Sequence, residues 1–300
     1  MKVLETLSIM ISFSTMGLLL SSCSVLPIKP DGSPEPVDID KYMSLGARTM
    51  WIAPHPDDEF LSGPILARSK KYYHNPLYFL VLTHGQGGHC GLARGCSPDL
   101  GTVRGEEIKK AAGFYGAQLQ NENFYNAPLP ASSFPKRQEI YDIWKRQGNP
   151  ELVIAKAIRK FRPDLVITFD PDHGASGHPE HQLTARLAIA GIRMAADPNL
   201  EIDGLPPHRI GRLYHVLNRY WLLVMLGQAD PPPVTEQFHT QVKCTDDLNC
   251  LQFMLHGIRF HRSQFNDMQK VARFRSLFET LSLRQVDPYT QWWDPAEPQD

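Results

Sequence analysis

The sequence predicts an α/β fold, a mostly parallel sheet flanked by helices, on three observations. Short apolar runs rich in aromatic and β-branched residues recur along the chain, helix-like stretches separate them, and clusters of reactive polar residues follow directly after two of the runs. The runs are Thr49–Ala53 (TMWIA), Leu77–Thr83 (LYFLVLT), Asp164–Phe169 (DLVITF) and Arg212–Leu217 (RLYHVL). Unbroken apolar runs of this length suit strands buried on both faces, as in a parallel sheet. The helix-like stretches are Glu59–Lys71, Thr102–Tyr115, Glu151–Phe161 and Pro179–Ala196; the second places Val103, Ile108, Ala111, Ala112 and Tyr115 as its apolar positions. In such sheets ligands bind beyond the carboxyl ends of the strands, so reactive residues are sought there.

Composition supports a globular domain and removes several function classes. With 300 residues, 42% of them hydrophobic, the chain can build a core, which excludes wholesale disorder, collagen-like repeats and a coiled coil. Thirty-one basic and thirty-two acidic residues nearly cancel and no long Lys/Arg run occurs, so no nucleic-acid partner is expected. Between Ser24 and Asp40 the segment VLPIKPDGSPEPVDID holds four prolines and a glycine, which reads as an extended tether. The expected organisation is a leader over 1–22, a tether over 23–44, one domain over 45–290 and a tail over 291–300.

The leader is Leu7–Leu20 (LSIMISFSTMGLLL), preceded by Lys2. It is shorter than the ~20 residues a spanning helix needs and suits the apolar region of a secretory signal peptide. Leu20-Ser21-Ser22-Cys23 resembles a bacterial lipobox, which implies that Cys23 is lipidated and the membrane is a partner through that lipid; an uncleaved anchor is the alternative. Either places the rest of the chain outside the cytoplasm, and Ser24 after Cys23 resembles lipoproteins sorted to an outer membrane. The other four cysteines form two close pairs, Cys90 with Cys96 and Cys244 with Cys250, an even number that suits an oxidising compartment. Of the three connectivities, the local one is simplest.

Two clusters carry the chemistry. The first run is followed by Pro54-His55-Pro56-Asp57-Asp58-Glu59. His55 offers an imidazole and Asp58 a hard oxygen, a mixture that suits Zn²⁺, and a carboxylate that does not ligate can act as general base. Read alone, the motif is equally an acidic helix-start turn. The third run ends in Asp170-Pro171-Asp172-His173-Gly174-Ala175-Ser176-Gly177-His178-Pro179-Glu180-His181. His178 and His181 are three apart at a helix start, so both can project from one face.

PHPDDE, the turn Thr83-His84-Gly85-Gln86-Gly87-Gly88, Arg104 with Glu107, HPEH and His261-Arg262-Ser263-Gln264 occur in that order. From Arg48 to Gln264 the sequence resembles the PIG-L/LmbE-type de-N-acetylases, zinc amidohydrolases acting on N-acetylglucosamine-containing conjugates. The resemblance implies a Rossmann-like, LmbE-like deacetylase fold. It implies Zn²⁺ on His55, Asp58 and His181, with Fe²⁺ or Co²⁺ fitting the same donors. It further implies Asp57 as general base, His178 as stabiliser of the oxyanion or donor to the leaving amine, and Arg104 at the substrate end; read from the residues alone, Arg104 and Glu107 are equally a helix-start ion pair. Two departures stand out: Glu180 where Asp is commoner, and His84 where Asn often stands. Asp170, Asp172 and His173 are candidates to orient ligands from behind, with the capping of the loop as the alternative for one of them, and His261 is expected to pack structurally near the site. The implied partner is an N-acetylated amino-sugar conjugate. A zinc hydrolase of another acylated amine and a catalytically silent glycan-binding lipoprotein are the rivals.

Overall fold

β1 (Thr49–Ala53), β2 (Leu77–Thr83) and β4 (Leu165–Phe169) are buried at every residue, as their apolar composition requires. The computed structural model describes residues 38–218, 232–265 and 275–297. Cys23, the apolar leader, the first part of the tether and the apolar stretch Tyr220–Leu226 lie outside those residues.

One sheet carries the fold, in the order β3-β2-β1-β4-β5-β7-β6. β3 (Gln118–Phe124) through β5 (Arg212–Val216) pair in parallel, whereas β7 (Thr280–Val286) pairs antiparallel with both β5 and β6 (Glu236–His239). Successive side chains of a strand point to opposite faces. Trp51, Phe79 and Ile167 therefore enter one core, and Met50, Ile52 and Val166 enter the other. The first core is closed by α1 (Ile39–Ser44), α2 (Gly63–Ala67), α3 (Leu100–Tyr115) and α7 (Cys250–Gly257); the second by α4 (Arg137–Gln147), α5 (Pro150–Phe161) and α6 (Pro179–Ala196). The strand order reverses between β1 and β4, and the crevice beyond their carboxyl ends is where such a sheet places its site.

Element boundaries follow local chemistry. α3 starts at Leu100 because Asp99 accepts from Thr102 N at 2.8 Å, and α5 at Pro150 because Asn149 accepts from Leu152 N at 3.1 Å. The helix expected over Glu59–Lys71 is instead a 3₁₀ turn, Asp58–Leu61, a break at Ser62, and then α2 with Pro64 in its first turn. The expected tether overruns the domain. α1 inserts Ile39 and Met43 fully into the core, and Ile39 N donates to Glu236 Oε1 at 2.5 Å. The expected loose tail is docked through residue 297: Arg186 binds Asp294 O at 2.8 Å and Glu297 Oε2 at 2.6 Å.

Cys90 and Cys96 are bonded. The second expected bridge is absent, because Cys244 and Cys250 are buried free thiols. Backbone bonds from Cys244 N to Leu248 O (3.0 Å) and from Cys250 N to Val242 O (2.9 Å) set the two side by side. Cys250 Sγ lies 3.7 Å from the Lys243 carbonyl, and both side chains pack as small hydrophobes in the core.

Two outcomes follow from this packing. Ile39→Ala should lower stability by about 2–5 kcal/mol in denaturant unfolding, the range for emptying a buried aliphatic site; no loss would return residues 38–44 to the tether. His215 on β5 is fully buried, and burial pushes its pKa from 6.5 down to about 4. The unfolded chain therefore binds more protons between those values, and stability should fall by up to about 3 kcal/mol as pH drops from 7 to 4. His215→Gln should show a correspondingly shallower acid loss. Comparing the two proteins isolates His215, since Glu236, pushed up to about 7 by burial, acts in the opposite sense.

Candidate active site

The chain leaves β1 through Pro54-His55-Pro56 and turns back at once, with His55 N donating to Asp58 Oδ2 at 2.9 Å. His55 Nδ1 then lies 3.2 Å from Asp58 Oδ2 and 3.2 Å from His181 Nε2. His181 Nε2 is in turn 3.2 Å from Asp58 Oδ1, and all three residues are buried. His181 comes from the first turn of α6, its ring stacked 4.2 Å from that of Phe169, the last residue of β4. Two strand ends thus deliver three donor atoms to one point.

The far nitrogens decide what those donors can hold. His55 Nε2 faces Glu180 Oε2 at 2.5 Å, and His181 Nδ1 faces the Gly174 carbonyl at 2.7 Å. Both partners are acceptors, so each far nitrogen keeps its proton, and a cation at the centre that displaces the inward proton meets a ring lone pair beside the Asp58 carboxylate. Such a point calls for a positive charge. Burial alone would lower the His55 pKa, but the Asp58 and Glu180 carboxylates overcome it and raise it to about 10. Burial would likewise raise Asp58, yet His181 and His55 together hold it well below the usual carboxylate range. Two imidazoles and one carboxylate, each buttressed from behind, fit a Zn²⁺-type ion with room for a further ligand.

Asp57 sits between the ligands with φ 114°, a left-handed conformation that costs a non-glycine residue on the order of 1–3 kcal/mol. Burial raises its carboxyl above the usual range and the Arg104 guanidinium opposes that rise. Arg104 is where expectation and structure part. Its Nη2 binds Asp57 Oδ1 (2.7 Å) and Pro56 O (2.5 Å), and its Nη1 binds Gly85 O (2.9 Å). It lines the cavity, but these donors hold the aspartate and its turn rather than facing a substrate. The Thr83–Gly88 turn acquires its purpose here: Gly85 has φ +66°, and a Cβ there would stand 2.4 Å from the guanidinium. Glu107 does not pair with Arg104 either, since it accepts from Ser263 N at 2.8 Å and Ser263 Oγ at 2.6 Å.

His178 caps α6, its Nδ1 accepting from Glu180 N at 3.2 Å, which leaves Nε2–H as the donor of the neutral ring. Burial, with His55 and His181 alongside, pushes its pKa far down. His55, Asp57, Asp58 and His178 line one cavity of about 660 Å³, together with Leu129 and Phe134. The Phe134 ring stands 4.4 Å from that of His178.

Asp170 and Asp172 do not take the places expected for them. Asp170 Oδ1 accepts from His173 N (2.7 Å), His173 Nδ1 (3.0 Å) and Asp172 N (3.1 Å), so it shapes the turn leading to Gly174. Asp172 faces Arg186 at 3.3 Å and Trp293 Nε1 at 3.2 Å. The buttressing carboxylate is Glu180, fully buried, which also accepts from Asn126 Nδ2 and Ala127 N, each at 2.7 Å. An acidic residue directly before a candidate ligand was a signal for Glu180; Asn126 carried none, because it follows a strand too polar to recognise. His261 pairs with Glu59 at 2.6 Å, both fully buried.

Residues 50–192 match the PIG-L family model, described as GlcNAc-PI de-N-acetylase. The chain carries a PIG-L family domain. It is 28% identical over 208 residues to 1D-myo-inositol 2-acetamido-2-deoxy-alpha-D-glucopyranoside deacetylase of Thermobifida fusca, covering 63% of this chain and 69% of that one. It is 28% identical over 204 residues to mycothiol S-conjugate amidase of Streptomyces coelicolor, covering 64% of each, so about a third of these relatives lies outside the match. Among solved structures, N,N'-diacetylchitobiose deacetylase from Pyrococcus horikoshii matches with a TM-score of 0.56 at 19% identity, covering 92% of this chain and 93% of that one, a likeness of fold. This PIG-L domain is that of a hydrolase acting on amides.

The buttress makes a testable statement. Glu180→Gln keeps the size but offers one acceptor oxygen where two are used, and it should lower zinc affinity about 10- to 100-fold in chelator competition. Unaltered affinity would leave Glu180 a packing residue.

Proposed function

We propose that this protein is a zinc-dependent N-deacetylase that hydrolyses the acetamide of an N-acetylglucosamine-containing conjugate. The observation that carries the reading is the convergence of His55 Nδ1, Asp58 and His181 Nε2 at mutual distances of 3.2 Å, with Asp57 and His178 on the same cavity. Zinc bound there supplies Lewis acidity, which makes water a nucleophile near neutral pH. Asp57, held by Arg104, takes the proton of the attacking water. His178 presents Nε2–H to the oxygen on which negative charge develops, and Asp57 returns its proton to the departing amine. Phe134 and Leu129 offer an apolar lip against which a sugar ring can lie.

A second reading of the substrate has its own support. The Streptomyces coelicolor relative is named an amidase of a mycothiol S-conjugate, so another N-acyl amine fits the same donors. Acetate release across free N-acetylglucosamine, its oligomers and its inositol conjugates separates the two. Asp57→Asn should cut that release by about 10²–10⁴-fold while zinc stays bound at one per chain. Full activity in the variant would remove Asp57 from the mechanism.

We also propose that the chain is anchored to the cell envelope through a lipid on Cys23. The lipobox-like Leu20-Ser21-Ser22-Cys23 supports this, as does the Cys90–Cys96 bridge, which suits an oxidising compartment. Among the described residues no helix is long and apolar enough to cross a membrane. Cys23→Ala should abolish incorporation of labelled fatty acid; undiminished labelling would remove Cys23 as its site.

A further inference from the structure

Beside the catalytic cavity lies a second cleft, of about 680 Å³, which the proposed chemistry does not use. Arg94, Lys110 and Arg262 line it, all three exposed, and among the described residues none of their side chains has a hydrogen bond or ion pair. Two acids share the lining, Glu106 exposed and Glu107 buried. Both oxygens of Glu107 are taken by Ser263, and Glu106 lies 3.8 Å from Lys109.

Arg94 is not on a loose loop. The Cys90–Cys96 bond closes the segment, Gly91 N ties it to Ser263 O at 2.7 Å, and Gly95 N turns it back onto Leu92 O at 2.9 Å. A positive φ of +72° at Gly95 lets that turn close. Three cations against two carboxylates leave the lining with a net positive charge, which attracts an anion. Because the disulfide orders the Arg94 loop beforehand, binding loses less conformational entropy there.

Two joined segments contribute to both clefts. Gly88 and Gln264 line the catalytic cavity, while Leu92 and Arg262 line the second cleft. The segments between them are joined by Gln264 Nε2 to His89 O at 2.8 Å and by the Gly91–Ser263 bond. Arg262 and Gln264 are two residues apart, a reach of about 7 Å along the chain.

We propose that this cleft receives an anionic substituent, a phosphate or carboxylate, carried by the same conjugate whose acetamide reaches the histidine–aspartate centre. The proposal rests on the deacetylase reading above. Arg94 and Arg262 supply planar donor forks suited to either anion, and Lys110 supplies a point charge.

The test uses the full-length, zinc-loaded protein and two readouts. Acetate release is followed on a neutral N-acetylglucosaminyl glycoside and on the same glycoside carrying a phosphate or a carboxylate on its aglycone. Inorganic phosphate is titrated separately by calorimetry. An anionic glycoside should show a KM about tenfold lower than the neutral one, the scale of one charge-assisted contact. Arg94→Ala with Arg262→Ala should erase that advantage and weaken phosphate binding, leaving kcat on the neutral glycoside unchanged. Equal KM values in the unaltered protein, or an advantage kept in the double variant, would overturn the assignment. Phosphate that binds the double variant as well and leaves on chelation sits at the metal, and would also overturn it. Phosphate binding lost in the double variant without any KM advantage would make the cleft a site for a separate anion, not for the substrate. Failure to release acetate from every glycoside would instead count against the deacetylase reading, and the phosphate titration would still report on the cleft.

Discussion

A carboxylate with no exposure, on the first turn of α6, ties the site together. Desolvating such a group costs several kcal/mol unless donors meet it, so its partners must be in place whenever the chain is folded. Glu180 finds them on two different strand-end loops: His55 after β1, and Asn126 and Ala127 after β3. His181, on the same turn, meets the loop after β4 through Gly174 O. Satisfying one buried carboxylate therefore brings two loops to the first turn of α6, His181 adds the third, and the inward-facing nitrogens of His55 and His181 are a consequence of that arrangement.

Close by, opposite charges divide the work between neighbours. Asp57 and Asp58 are adjacent in sequence, yet His181 and His55 keep Asp58 ionised while burial raises Asp57. The left-handed backbone at Asp57 turns the two carboxylates to different partners, Asp58 to the histidines and Asp57 to Arg104. A pair of identical side chains thereby acquires two environments, which is what ligation and proton transfer demand of them. Arg104 belongs to this arrangement as a positioning group, and Gly85 makes room for it.

What was legible in the sequence was whatever is buried on both faces. β1, β2 and α6 have the bounds that their residues predict, because runs such as LYFLVLT and a capped helix start at His178-Pro179 admit few alternatives. β3 was not legible: QLQNENF lies at the sheet edge, mostly half-exposed, and carries no apolar period. Nor was α1, whose two apolar anchors, Ile39 and Met43, sit at the end of a proline-rich segment that reads as tether. Arg104 was read as substrate-facing because a guanidinium at a helix start gives no hint of which carbonyls and carboxylate will close around it. The Cys244–Cys250 pairing failed for a related reason, since spacing allows a bridge but backbone register decides where two sulfurs come to rest.

By itself, then, the sequence determined the α/β class, the central strands and the two clusters of donors, since periodicity and motif spacing are local properties. The tertiary structure alone decided which donors face one another, that Glu180 rather than Asp170 or Asp172 stands behind His55, and that Arg104 holds Asp57. Those are facts about side chains up to 126 positions apart, as His55 and His181 are. Only the sheet order, with β1 beside β4 at the point of reversal, brings them within hydrogen-bonding distance.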